Sequence, residues 1–306
     1  MRRSIVSRLA GFFATPGAVA LALLQAGPAL AQDAAAAGQP MVGEPHAWAL
    51  GLQPAGGAVK EAIHDFNQLV LWIIIAVSVL VGVLLAWVVW RYRAAANPIP
   101  SRTSHHTLLE VAWTAMPVLL LIVIAIPSFR LIYWEDRAVD AGLTVNVTGR
   151  QWYWHYAYPD QGNFAYDSYP IQDADLKPGQ LRNLTVDEPL VIPVGTNIRV
   201  ITTGQDVIHS FFVPSLGVQK YTIPGRTLET WMRADRPGTF YGQCNQICGT
   251  NHWFMPIVVR AVPQAEFDAW VAAAKQRFAA EGGQAPAVAT APAAEEAGAQ
   301  LAELRR

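Results

Sequence analysis

Two long uncharged stretches, at 69–90 and 111–129, dominate the hydrophobic pattern of this chain. The first would form a helix of about 33 Å, which is enough to cross a bilayer core of about 30 Å. Prolines interrupt the second, and membrane helices tolerate proline where neighbouring helices satisfy the freed carbonyls. The pattern predicts a helical hairpin at 59–134 that spans a membrane twice, with buried core helices as the alternative.

Beyond the hairpin, short β-rich runs alternate with turns of Gly, Pro and Asp as far as Val262. The predicted strands cover 143–147, 151–158, 190–194, 198–202, 207–213, 228–232, 239–242 and 255–259. Many short strands with regular turns are typical of an all-β sandwich or barrel. An amphipathic helix completes a domain predicted at 135–281, and its apolar face contains Phe267, Trp270, Val271 and Ala274.

The two ends of the chain carry segments of a different kind. Residues 1–31 have the basic start, the short apolar stretch and the Ala-x-Ala cleavage site of a secretory signal peptide, with an uncleaved anchor as the alternative. Residues 32–58 are rich in Ala, Gly and Pro and predict a flexible leader. Residues 282–306 have the composition of a disordered tail.

Composition and charge support membrane attachment. Only 15% of the 306 residues are charged, whereas a soluble protein usually carries about 25%. The formal net charge of −1 gives no indication of nucleic-acid binding. Arg91, Arg93 and Arg102 lie between the two spans, so the positive-inside rule puts that loop in the cytoplasm. Both termini and the β domain are then expected on the periplasmic side of a bacterial inner membrane.

The candidate chemistry lies in one short run near the end of the β domain. Cys244 and Cys248, the only cysteines of the chain, are followed by His252 and Met255. Thiolates, imidazole and thioether are soft ligands that select copper or zinc, and a weak axial methionine is typical of copper electron-transfer sites. A disulfide between the two cysteines and a zinc site are the alternatives.

A second imidazole, His209, precedes this run by 35 residues and lies on a separate predicted strand. Two thiolates, two imidazoles and one thioether are too many ligands for a single trigonal copper. Two thiolates can instead bridge two metals, each of which takes one imidazole. The Met255 sulfur and a backbone carbonyl would fill the weak axial positions, and Gln246, between the cysteines, is centrally placed to supply that carbonyl. The ligand count therefore favours a site for two copper ions.

One acidic residue, Glu110, stands at the cytoplasmic mouth of the second span. A carboxylate there is costly if it faces lipid, so it is expected to face protein or water. It is either an interfacial side chain that reaches the headgroups or a group through which protons are taken up.

Taken together, these residues resemble subunit II of bacterial haem–copper cytochrome c oxidases of the aa3 kind, over about residues 60–280. The resemblance rests on the segments Leu-Leu-Glu110-Val-Ala-Trp-Thr, Gly149-Arg-Gln-Trp152-Tyr-Trp154, Asp206-Val-Ile-His209-Ser, Val213-Pro-Ser-Leu-Gly217, Ile223-Pro-Gly-Arg226, Tyr241-Gly-Gln-Cys244 and Met255-Pro. It implies a two-helix transmembrane hairpin followed by an all-β cupredoxin-like domain. The whole would be one subunit of a proton-translocating oxidoreductase that reduces oxygen to water.

The resemblance also implies roles for individual residues. It implies a binuclear copper centre of the CuA type, held by His209, Cys244, the Gln246 carbonyl, Cys248, His252 and Met255. Trp152 would lie where a separate cytochrome c delivers its electron, and Glu110 would match the acid at the mouth of a proton channel shared with subunit I. The haem and the oxygen-reducing copper would belong to subunit I, and subunit III is a further expected partner.

Three positions depart from the family's pattern. Gln246 stands where the family usually has Glu, whose side chain also reaches an interface magnesium ion. A neutral amide is a weaker ligand for that hard cation, so the magnesium site is expected to be weakened. Tyr221 and Ala157 stand where acidic residues are often found, which reduces an acidic docking face for a basic cytochrome c. The remaining docking candidates are Asp160, Asp167, Asp173, Asp175 and Asp206.

Other functions fit the sequence less well. A quinol oxidase subunit of the same architecture would lack the copper ligands, and a periplasmic copper carrier would not need paired bridging thiolates. A copper domain like that of nitrous oxide reductase would not carry two membrane spans. No Cys-x-x-Cys-His occurs, which excludes a covalently attached c-type haem, so the electron donor is expected to be a separate protein.

Overall fold

The computed structural model describes residues 41–138 and 140–280. The predicted signal peptide at 1–31 and the predicted tail at 282–306 lie outside the described residues. So does the first part of the predicted leader, 32–40. The described residues contain both long apolar helices and the β domain that carries the candidate metal ligands.

Two long helices precede the β domain. α1 spans Ala58–Arg91 and α2 spans Thr107–Glu135, and each contains an apolar window long enough to cross a membrane. Pro117 and Pro127 lie inside α2 without ending it. The apolar windows are entirely exposed on the isolated chain, which argues against the alternative of buried core helices. Their side chains need lipid or neighbouring membrane helices to cover them.

The β domain is built from short strands and one further helix. Within the described residues the strands are β1 Met41–Val42, β2 Leu143–Arg150, β3 Tyr153–Tyr158, β4 Phe164–Ser168, β5 Leu190–Pro193, β6 Ile198–Gly204, β7 His209–Val213, β8 Val218–Thr222, β9 Leu228–Met232, β10 Gly238–Gln243 and β11 Pro256–Val262. The helix α3 follows at Gln264–Ala280. The predicted strands are present with boundaries shifted by up to three residues, whereas β4 and β8 were not predicted.

The strands form a β-sandwich, as the sequence predicted. One sheet has the order β1-β10-β11-β5 and the other has the order β4-β3-β2-β6-β9. β7 and β8 form a separate antiparallel hairpin, in which His209 pairs with Thr222. A large core cluster lies within the domain, beside a smaller one around Tyr241, and the largest fully buried aromatic side chains are Trp154, Tyr156, Tyr158, Phe211 and Phe240. The core therefore extends directly beneath His209 and the metal-binding run, since Cys244, Cys248 and Met255 belong to the same cluster.

Helix α3 covers one side of the sandwich with the apolar face that its periodicity predicted. Phe267, Val271 and Ala274 are buried, and Trp270 is partly buried against the same core. The ring of Phe278 stacks on Tyr166 with a centroid separation of 4.6 Å. Burial of large aromatic side chains is the main stabilising contribution of such a helix.

The described part of the predicted leader has defined contacts with the sandwich. β1 runs parallel to β10. The Gly56 N–H donates to the Ser215 carbonyl at 2.8 Å, and the Asp235 N–H donates to the Gly56 carbonyl at 2.9 Å. Gly57 lies so close to Arg233 that a Cβ atom would be 1.7 Å from the Arg233 carbonyl oxygen. The two ends of this segment, 41–43 and 55–57, are thus held against the domain that carries the site, whereas residues 45–52 are exposed.

The end of α2 is joined to the sandwich by backbone and aromatic contacts. The indole N–H of Trp231 donates to the Trp134 carbonyl at 2.8 Å, and the two rings meet edge to face with centroids 4.8 Å apart. The Thr230 hydroxyl donates to the Glu135 carbonyl at 3.0 Å. Because Thr230 and Trp231 of β9 both hold the last turn of α2, the β domain has a fixed attachment to the apolar hairpin.

Candidate metal centre

His209 is the first residue of β7 and is completely buried. Its Nε2 atom lies 2.8 Å from Oδ1 of Asp206. Because a carboxylate can only accept, Nε2 carries the proton, which leaves a lone pair on Nδ1. Nδ1 is buried and has no hydrogen-bond partner among the described residues. An imidazole nitrogen in this state is suited to bind a metal ion.

The two cysteines lie just beyond the end of β10. Cys244 and Cys248 are both buried free thiols, with their Sγ atoms 3.8 Å apart. A disulfide requires a separation of about 2.05 Å, so the two sulfurs are not bonded to each other. The ligand atoms of His209, Cys244 and Cys248 all lie within 4.8 Å of one another. The fold thus brings together the early histidine and the late cysteine run, as the sequence predicted.

Two of the remaining predicted ligands, His252 and the Gln246 carbonyl, lie close to the sulfurs, and Met255 is buried in the same core. The Nδ1 atom of His252, on a short 3₁₀ turn, is 3.6 Å from Cys248 Sγ. The Gln246 carbonyl oxygen is 3.3 Å from Cys244 Sγ. Met255 is completely buried in the same core cluster. Both imidazoles therefore lie next to the thiols, His209 beside Cys244 and His252 beside both Cys244 and Cys248.

Backbone hydrogen bonds fold the run from Cys244 to Met255 back on itself and onto β7. The Cys244 N–H donates to the Met255 carbonyl at 3.0 Å, which closes the loop. The Asn245 N–H donates to the Ser210 carbonyl at 3.1 Å, which ties the loop to the strand of His209. The ligand-bearing segments are held by bonds that do not involve the ligand atoms, so the arrangement is preorganised.

The two thiols differ in their readiness to ionise. Burial by itself would raise the pKa of Cys244, but the adjacent imidazole of His209 and nearby backbone N–H groups outweigh it and lower that pKa. Burial and the neighbouring Cys244 sulfur raise the pKa of Cys248. Two thiolates at 3.8 Å repel each other, so both ionise only when a cation lies between them. The donor set therefore fits a positively charged, soft metal centre.

Trp152 lies against the metal-binding run. Its indole N–H donates to the Cys248 carbonyl at 3.2 Å, and the amide of its neighbour Gln151 donates to the same oxygen at 2.8 Å. Trp152 is partly exposed and packs on the core cluster, so it connects the surface to a ligand-bearing residue. The contact of Gln151 with Cys248 was not predicted, because no local pattern links residues 97 positions apart.

Four of the five acidic docking candidates form contacts within the chain. Asp160 accepts from the Thr144 N–H, and Asp173 accepts from Arg182, both at 2.7 Å. Asp167 is 2.7 Å from Nδ1 of His155, and Asp206 holds His209. Only Asp175 is exposed with no contact of its carboxylate recorded among the described residues.

Glu110 lies in the first turn of α2 and takes part in its cap. Its carboxylate accepts from the His106 N–H at 3.1 Å, while the His106 ring accepts from the Leu109 N–H at 3.2 Å. A shallow cavity of about 500 Å³ extends from Glu110 along one side of the helix to Leu119. The structure thus gives Glu110 a capping contact and a position beside an open apolar groove.

Comparisons with known proteins give similarities over most of the chain. Residues 143–262 match the family model described as the periplasmic domain of cytochrome c oxidase subunit II, and residues 45–131 match the model of its transmembrane domain. The probable cytochrome c oxidase subunit 2 of Rickettsia bellii is 44% identical over 239 residues, which are 78% of this chain and 88% of that protein. Cytochrome c oxidase subunit 2 of Oenothera berteroana is 44% identical over 230 residues, 73% of this chain and 89% of that protein.

A solved structure is also similar to part of the chain. It is the crystal structure of the periplasmic domain of subunit II of cytochrome oxidase of Bradyrhizobium japonicum. It is 50% identical, covers 46% of this chain and 99% of that chain, and has a TM-score of 0.44.

Proposed function

This chain belongs to the cytochrome c oxidase subunit II family, and from that premise we propose that it is the electron-input subunit of a terminal oxidase. It receives electrons from a separate cytochrome c at a binuclear copper centre. It passes them to the haem of subunit I, where oxygen is reduced to water and protons are pumped. The observation that carries the proposal is the unpartnered, buried Nδ1 of His209 facing two free thiols.

The residues that would hold the copper ions are His209, Cys244, the Gln246 carbonyl, Cys248, His252 and Met255. When bound, the copper pair supplies a centre that gains and loses one electron shared between two metals. The protein keeps the two sulfurs 3.8 Å apart, with the imidazoles of His209 and His252 beside them. A rigid, buried ligand set changes little between oxidation states, which favours fast electron transfer.

Trp152 is proposed as the point at which electrons enter from cytochrome c. Its hydrogen bond to the Cys248 carbonyl supports this role, because it joins a partly exposed aromatic ring to the ligand run through one contact. Acidic groups around the domain, of which Asp175 is the least engaged, are proposed to steer a basic cytochrome c. Steering by Asp160, Asp167, Asp173 and Asp206 would act through carboxylates already held in place.

The apolar hairpin anchors the chain in the membrane. We propose that the membrane is the bacterial inner membrane, with the metal domain on the periplasmic side, and that the exposed faces of α1 and α2 contact subunits I and III and lipid. Glu110 is proposed to lie at the mouth of a proton channel shared with subunit I. The neutral amide of Gln246 is proposed to weaken an interface magnesium site.

One experiment tests the central proposal. The full chain, purified in detergent without subunit I and loaded with copper, is expected to hold two coppers and to show the purple, mixed-valence spectrum of a shared electron. The same sample should take one electron from reduced cytochrome c. A single blue copper, or no bound copper, would contradict the proposal.

A further inference from the structure

We propose that Gln151 is a positioning residue that locks the two ligand-bearing segments and Trp152 into one rigid unit. The inference rests on the proposed copper function. It concerns a residue that touches neither a metal ligand side chain nor the donor, and acts through the backbone of Cys248 and the carboxylate of Asp206.

The side chain of Gln151 fixes the centre of the cysteine run. Its amide N–H donates to the Cys248 carbonyl at 2.8 Å, across 97 positions of sequence. The Trp152 indole N–H donates to the same oxygen at 3.2 Å. A carbonyl oxygen has two lone pairs, so the two neighbouring residues together satisfy it completely. This pair fixes the orientation of the Cys248–Gly249 peptide, and so the backbone from which the Cys248 side chain extends.

The backbone of Gln151 fixes the other ligand-bearing segment. Its N–H donates to Oδ2 of Asp206 at 2.6 Å. The other oxygen of that carboxylate accepts from His209 Nε2 at 2.8 Å. One residue thus connects, through two separate groups, the carboxylate that orients His209 and the peptide that orients Cys248. No other residue in the described ranges is recorded with both contacts.

Close packing leaves little room for other arrangements of the loop. A Cβ atom on Gly249 would lie 2.9 Å from Cζ2 of Trp152 and 3.0 Å from Nε2 of Gln151. Gly249 also has φ of +122°, a conformation that side-chain-bearing residues rarely adopt. The loop therefore approaches Gln151 and Trp152 as closely as a backbone without a side chain allows.

The consequence is a fixed relation between the site where electrons arrive and the metal centre. If the Gln151 amide is removed, the Trp152 hydrogen bond alone holds the Cys248 peptide, and the loop gains freedom. Residues that orient metal ligands typically change metal affinity or activity by about 10–100-fold when replaced. We expect an effect at the lower end of this range, since the Trp152 contact and the Gln151 backbone bond remain.

The test compares Gln151→Ala and Gln151→Met with Gln172→Ala in the full chain in detergent. Gln151→Met keeps the length of the side chain and removes its amide, and with it the donor to the Cys248 carbonyl. Gln172 is exposed and has no recorded side-chain contact, so Gln172→Ala is the matched control. Three quantities are measured: copper release to a chelator, the EPR spectrum of the copper pair, and the rate of reduction by cytochrome c.

Both Gln151 variants are expected to keep two coppers, to release them about tenfold faster and to show an altered EPR hyperfine pattern. Reduction by cytochrome c should slow, and Gln172→Ala should match the wild type in all three quantities. Wild-type release and EPR in Gln151→Met would overturn the inference. If Gln151→Ala does not fold, Gln151→Met decides with the same criteria. A wild-type chain without two coppers would instead contradict the proposed function.

Discussion

Asp206 and His209 are joined by a hydrogen bond of 2.8 Å between the carboxylate Oδ1 and the imidazole Nε2. The bond directs the proton of the ring to Nε2 and leaves the buried Nδ1 with a free lone pair near the thiols. The carboxylate is itself held by the N–H groups of Val207 and Gln151, both at 2.6 Å. Burial opposes ionisation of Asp206, but these hydrogen bonds outweigh it and lower its pKa. Asp206 thus orients the His209 ligand. The sequence had predicted it only as a docking residue.

Replacing Asp206 by Asn should weaken copper binding. The amide keeps a single acceptor oxygen, so it can accept from only one of the Val207 and Gln151 N–H groups, which donate to different oxygens of Asp206. It also cannot supply the charge that fixes the tautomer of His209. We expect copper affinity to fall by about tenfold, measured by competition with a chelator on the full chain. Asp175→Asn removes the same charge from an exposed carboxylate without recorded contacts and should leave copper affinity unchanged. Equal affinities in the two variants would show that Asp206 does not orient the ligand.

Replacing Trp152 by Phe should slow electron input while copper remains bound. The substitution removes the indole N–H that donates to the Cys248 carbonyl and keeps an aromatic ring in place. The rate of reduction by cytochrome c is expected to fall, with copper content at the wild-type level. Trp48→Phe is the control, because Trp48 is 92% exposed and distant from the ligand run in sequence. Unchanged reduction kinetics in Trp152→Phe would contradict the role of this residue.

Replacing Gly249 by Ala should destabilise the metal-binding loop. The new Cβ would meet Trp152 at 2.9 Å, and the backbone φ of +122° is unfavourable for Ala. We expect the free energy of unfolding of the copper-free chain to fall by about 1–3 kcal/mol. Thermal melting measures this loss. Gly179→Ala separates the steric contact from the unfavourable φ. Gly179 has a positive φ of +87°, but no atom lies within 4 Å of where its Cβ would be. The loss for Gly249→Ala should exceed the loss for Gly179→Ala, and equal losses would remove the steric argument.

Asp167 should contribute to stability in a pH-dependent manner. Burial by itself would raise its pKa, but the hydrogen bond with His155 outweighs burial and lowers it. A carboxyl whose folded pKa is depressed stabilises the fold above its unfolded value of about 3.9, and this contribution is lost as the pH falls through the folded value. Asp167→Asn should therefore melt at a lower temperature than the wild type at neutral pH.

The difference should correspond to less than about 1 kcal/mol, because the Asp167 side chain is 32% exposed and solvent screens the pair. It should shrink towards zero as the pH falls below the unfolded value of about 3.9 and through the folded pKa, where both states become protonated. Melting curves of the full chain at neutral and acidic pH test this. A difference that persists at the acidic pH would indicate a steric rather than an electrostatic cause.

Association with a basic cytochrome c should weaken as salt is added. Steering between opposite charges is screened with a Debye length of about 10 Å at 0.1 M. The second-order rate of reduction by cytochrome c should fall as ionic strength rises. At low salt the Asp175→Asn variant should react more slowly than the wild type, and at high salt the two rates should be equal. A rate that does not depend on ionic strength would contradict steering by acidic residues.

Several features followed from the sequence because they depend on neighbouring residues. The two spans are visible as uninterrupted apolar runs, because nearly every residue of a membrane-spanning helix has to be apolar. The face of α3 that contains Phe267, Val271 and Ala274 followed from helical periodicity, and these residues are buried. The cysteine run was recognisable because its soft ligands are close together in sequence. Strands β4 and β8 were not predicted, because their formation depends on pairing with β3 and β7.

What only the tertiary structure decided is which distant groups meet at the metal centre. Sequence could nominate His209 by its residue type, but only the fold brings its ring within 4.8 Å of both sulfurs. The role of Gln151 follows from hydrogen bonds across 55 and 97 positions, which leave no local signature. Short-range patterns reflect the preference of each residue type for water or for lipid. Long-range contacts are selected together by close packing of the whole domain, and so they become visible only in the folded chain.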